Sequence, residues 1–147
     1  MLWRAFTVAA LALPLAVVDL AHKATTETMP WAYHVRSGAW IALSLGVLAG
    51  CFLLARVPSV AVAIAAGVTA GGVAGNAASA ITSDRGVPNP LVAETDSHVI
   101  AFNLADVFTL IGIALLMGTL VVVSVRNRRK LLPPRAFVRE LRRRSSR

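Results

Sequence analysis

The chain has 147 residues, 56% of them hydrophobic, with a mean hydropathy of +0.69 and a formal net charge of +8. Soluble domains average about 45–50% apolar residues, so this composition excludes a soluble globular domain and a disordered chain. A disulfide scaffold is excluded as well, because Cys51 is the single cysteine and lies inside an apolar stretch.

The apolar excess is concentrated in four charge-free runs, 5–18, 37–55, 57–81 and 107–125. A bilayer core takes about 20 apolar helical residues per crossing. The expected fold is therefore an all-α integral membrane protein: four transmembrane helices in one domain over 1–125, with a small extracytoplasmic loop region. The first run has a basic start, as a signal peptide does. However, Asp19, His22 and Lys23 follow it without a small-x-small cleavage site, so it is read as a retained helix.

Charge sets the orientation. Ten of the 15 basic residues lie between Arg126 and Arg147, where Glu140 is the one acid, giving the tail +9 and the remainder −1. The positive-inside rule places 126–147 in the cytoplasm as a basic tail attracted to anionic membrane lipids, with no nucleic-acid partner. Four crossings put the N-terminus on the same side, with Arg4, and the turn holding Arg56 and Pro58 follows. Segments 22–36 and 82–103 then lie outside. Asp19, Glu27, Asp84, Glu94, Asp96 and Asp106 fall in them or at the adjoining helix ends, so any chemistry is expected on the outer face.

Taken along the chain, Asp19 and Lys23 are four residues apart, the spacing of a helix-end ion pair. The third run contains nine Ala and four Gly, with Gly67, Gly71 and Gly75 on one helical face, a small-xxx-small pattern that admits a neighbouring helix closely. Asn76, near the outer end of that run, needs hydrogen-bond partners in an apolar setting. Asn103 and Asp106 open the fourth run three residues apart and share a face. A carboxylate there either faces a protein interior or water-filled cavity, or serves the helix N-terminus as a cap or first-turn acid. His22, His34 and His98 lack metal-ligand spacing, so no metal or cofactor is expected. Trp3, Trp31 and Trp40 fall near span ends, where interfacial anchoring accounts for them.

These residues carry a resemblance. Asp19 to Lys23 is an Asp-x-x-x-Lys, 71–76 reads Gly-Gly-x-x-Gly-Asn, and 102–106 reads Phe-Asn-x-Ala-Asp with Gly112 six residues on. In this order the chain resembles signal peptidase II, the four-span aspartic peptidase that trims bacterial lipoprotein precursors. The resemblance implies a protein of the bacterial cytoplasmic membrane, lipid-modified precursors as substrates, Asp106 as one catalytic aspartate, and Asn76, Asn103, Asp19 and Lys23 as supporting residues. The family's x-x-Asp-Arg after Gly-Asn is missing, since Ser79-Ala80 stand there and Asp84-Arg85 come five residues late. The family's second aspartate is best matched by Asn89. An aspartic peptidase uses two carboxylates sharing one proton, one activating water and one polarising the scissile carbonyl. An amide cannot shuttle that proton. Two expectations follow: a peptidase in which Asp84, Glu94 or Asp96 replaces the lost acid, or an inactive relative that binds lipopeptide or acts as an accessory membrane protein.

Overall fold

A computed structural model describes residues 2–128; most of the basic tail, 129–147, lies outside the described residues. Four helices form a bundle: α1 (Leu2–Thr25), α2 (Gly38–Leu54), α3 (Val60–Thr82) and α4 (Leu104–Arg126). Helices α1, α3 and α4 are long and apolar enough to cross a membrane, whereas α2 is a shorter apolar helix of 17 residues. Each later start has a sequence cause. The Ser37 side chain accepts from Trp40 N at 3.2 Å, Ser59 accepts from Val62 N at 3.4 Å, and Asn103 accepts from Asp106 N at 3.0 Å, each satisfying an amide that the first turn leaves open.

Helix α3 is the centre, packed against the other three. Its small side chains bring the neighbouring backbones close. A Cβ at Gly67 would lie 2.9 Å from Leu11 Cβ, at Gly71 2.7 Å from Leu15 Cβ, and at Gly75 2.6 Å from Asp19 Oδ2. The glycine stripe therefore seats α1. On the other side, Gly72 abuts Ala105 O and Thr109 of α4, and Gly112 of α4 abuts Thr69. The core is correspondingly fine-grained, with Val8, Ala12, Cys51, Ala55, Ala63, Ala66 and Ala70. Helix α3 is largely buried, whereas α4 is largely uncovered, with Leu110, Ile111, Met117, Val121 and Val125 exposed. A helix that apolar with so little cover needs an apolar surrounding.

The loop region is more ordered than expected from sequence. Tyr33–His34 (β1) pairs antiparallel with Val87–Pro88 (β2), and Leu91–Glu94 (β3) forms a hairpin with Val99–Phe102 (β4). β-branched and aromatic residues flank a Thr95–His98 turn closed by Thr95 N to His98 O (2.8 Å) and Thr95 Oγ1 to His98 O (3.1 Å). The strands are two to four residues long, too short to register beside the spanning helices. Gly86, at φ +92°, closes the turn entering β2 against the His34 carbonyl, a backbone angle that suits glycine.

Candidate functional site: a polar network at one end of the bundle

The end of α1, the end of α3 and the start of α4 meet at one end of the bundle, and their polar residues form one connected network. Asp19 is fully buried. Its Oδ1 accepts from Ala105 N at 2.8 Å, so α1 caps α4 from across the bundle. Its Oδ2 lies 2.6 Å from Lys23 Nζ. Lys23 in turn donates to Asn76 Oδ1 at 2.9 Å and Ser79 Oγ at 3.2 Å, beside its ion pair with Asp19. The Asp-x-x-x-Lys pair is thus a buried tie between three helices rather than a surface helix-end pair.

Asn76 passes the connection to Asp106. Its Nδ2 donates to Asp106 Oδ1 at 2.8 Å, and Asn103 N donates to Asp106 Oδ2 at 3.2 Å. Because Asn103 Oδ1 accepts from Asp106 N, the two residues form a capping box. Asp106 is therefore a first-turn acid in a reciprocal cap, and half-buried it also lines a cavity.

The capping box fixes amide orientations further along. With its oxygen on Asp106 N, Asn103 presents Nδ2 to Asn76 Oδ1 (3.0 Å), Pro88 O (3.3 Å) and Asn89 Oδ1. Asn89 must then present its own Nδ2 to His34 Nδ1, 2.7 Å away. That nitrogen accepts, so the imidazole proton sits on Nε2. Asn89 is 2% exposed and is also held by its backbone N donating to Ala32 O at 3.1 Å. Asn89 thus reaches Asp106 only through Asn103.

No family model, characterised protein or solved structure matches the chain.

Asp106 and Asn76 open onto a cavity of about 250 Å³ between α2, α3 and α4, whose lining continues through Arg36, Trp40, Leu43, Ser44, Val47, Val73 and Thr109. Among the described residues, Asp106 is the one carboxylate in that lining. Asp84 is exposed and belongs with Arg85 to a separate hollow bordered by Thr28, Pro30, Tyr33 and Val35. Glu94 lies on the exposed hairpin and Asp96 at its turn. None of the three acids is brought to Asp106 as a partner. Among the described residues, no three His, Cys, Asp or Glu side chains are grouped to hold a metal ion.

Four participants were not legible beforehand. Ser79 lies three residues after Asn76, on the same helical face, and that spacing was its available signal. His34, notable in the sequence only for lacking metal-ligand spacing, terminates the amide chain. Trp40, read as an interfacial anchor, also lines the cavity. Arg36 stands just before the α2 cap, and its guanidinium lies 5.0 Å from the Trp40 ring centroid. The cue for Arg36 was an arginine four residues before a tryptophan.

Proposed function

We propose that this chain is a signal peptidase II-like membrane protein that binds lipid-modified precursor peptides at the Asp106 cavity without turning them over. The observation that carries this reading is the single carboxylate of that cavity. An aspartic peptidase needs a second carboxylate sharing a proton with the first. Asn89, the residue matched to it, is engaged by Asn103 and His34 and lies outside the cavity lining. Loss of general acid–base help removes about 10²–10⁴-fold in rate per group.

Membrane insertion is part of the proposal. The exposed apolar faces of α1 and α4 support it, and the helices of 23 and 24 residues are about 35 Å long at 1.5 Å per residue. At 17 residues α2 reaches about 26 Å, short of a roughly 30 Å core, which local thinning accommodates. Arg4, Arg56, Arg126 and the tail mark the cytoplasmic side of a bacterial inner membrane, and the polar network lies at the outer face.

The test compares native, Asp106→Asn and Asn89→Asp proteins in lipid with a diacylglyceryl-modified precursor. The expected result is binding without product for the native form. Efficient native cleavage, abolished by Asp106→Asn, would reject the binding reading and restore the peptidase, with single Ala changes at Asp84, Glu94 and Asp96 to find its second acid.

A further inference from the structure

We infer that the Asp106 cavity is a headgroup site for a zwitterionic phospholipid of the ethanolamine type, with the phosphate at Arg36 and the ammonium at Asp106. The inference goes beyond the peptide reading and depends only on the cavity opening to the membrane. Arg36 and Asp106 line the same cavity with opposite charge, yet no ion pair joins them; among the described residues, the salt bridge within 4.0 Å is Lys23–Asp19. Arg36 Nε is buried and, among the described residues, has no hydrogen-bond partner. A guanidinium with a desolvated, unpaired N–H calls for an anionic oxygen, and its fork geometry suits phosphate. The Trp40 ring holds it over the cavity.

Asp106 supplies the complementary half. Each of its carboxylate oxygens accepts one hydrogen bond, from Asn76 Nδ2 or Asn103 N, which leaves acceptor capacity on both. The rest of the lining includes Leu43, Val47 and Val73, an apolar wall running down α2 and α3 away from the charged rim. The occupant therefore carries an anionic group, a hydrogen-bond-donating cation and an alkyl chain. Pockets that bury whole drug-sized ligands span roughly 300–1,000 Å³. At about 250 Å³, this cavity takes a headgroup and the start of one chain.

The test uses the full chain, incorporated into bilayers of equal parts phosphatidylethanolamine, phosphatidylglycerol and phosphatidylcholine, then isolated for mass spectrometry of retained lipid. The expected result is roughly tenfold enrichment of the ethanolamine lipid, the ratio set by one charge-assisted hydrogen bond. Asp106→Asn should abolish the preference among headgroups while leaving phospholipid retained, and Arg36→Gln should lower retention of all three. Arg36→Lys keeps the charge and should keep the preference, which separates recognition from misfolding. Soluble phosphoethanolamine, added alone, should not displace the lipid if the apolar wall contributes; displacement would make the ligand a free phosphoethanolamine and overturn the lipid assignment. Retention in proportion to the bilayer, or enrichment untouched by either charge change, would overturn the site. The bilayers contain no lipopeptide, so failure of the headgroup assignment is distinguishable from failure of the peptide reading.

Discussion

Removing the Asp19 side chain should unfold the polar end of the bundle first. Asp19→Ala leaves Lys23 charged and buried without its counterion, and breaking a buried pair from one side costs about 3–5 kcal/mol. It also opens the Ala105 amide at the start of α4, a capping loss of roughly 1 kcal/mol. Asp19→Asn retains an oxygen for that amide but not the charge, so the gap between the two variants isolates the cap. Lys23→Met strands the carboxylate instead and should cost a similar amount. Because both act on one pair, the Asp19→Asn/Lys23→Met double variant should lose much less than the sum, with a coupling energy of at least about 2 kcal/mol. Trp3, Trp31 and Trp40 provide a fluorescence signal for reversible unfolding in mixed micelles of mild detergent and SDS. Single variants each losing under about 1 kcal/mol, with additive effects, would show that Asp19 and Lys23 are not a buried pair and would refute the network.

Three further outcomes follow from the geometry. Gly75→Ala, whose Cβ would meet Asp19 Oδ2 at 2.6 Å, should destabilise by about 1–3 kcal/mol, whereas Gly118→Ala, with nothing within 4 Å, should be neutral or slightly stabilising in the same unfolding assay. Asn89→Asp replaces the donor facing His34 Nδ1 with an acceptor, so the imidazole proton should move to Nδ1; nitrogen NMR of His34 reads the change directly. Asn76→Ala removes the acceptor of Lys23 and Asn103 and the donor to Asp106, and should cost about 2 kcal/mol or more, measured as loss of the folded fraction in SDS titrations.

Legibility from sequence followed physical range. The helices were readable because an apolar run of bilayer length is a signal summed over many residues, and the glycine stripe was readable because its four-residue spacing maps onto one face. Asn103 and Asp106 were placed together for the same reason. The tie from Asp19 to Ala105 spans 86 positions and the Asn89–His34 contact 55, and no local spacing encodes either. The strands were hidden by their length. Arg36 carries no local spacing signal of its own, and its place beside Asp106 follows only from the packing of α2, α3 and α4 around one cavity.

The most direct test of a cavity that binds without cleaving is equilibrium binding of a fluorescent diacylglyceryl-cysteine precursor to the protein in lipid nanodiscs, with mass spectrometry of the same sample. Native protein should bind and release no shortened peptide. Val47→Trp, which fills the apolar wall, should weaken binding roughly tenfold, about 1.4 kcal/mol, without unfolding the chain. Cleaved peptide from the native form, absent with Asp106→Asn, or binding untouched when the cavity is filled, would contradict it.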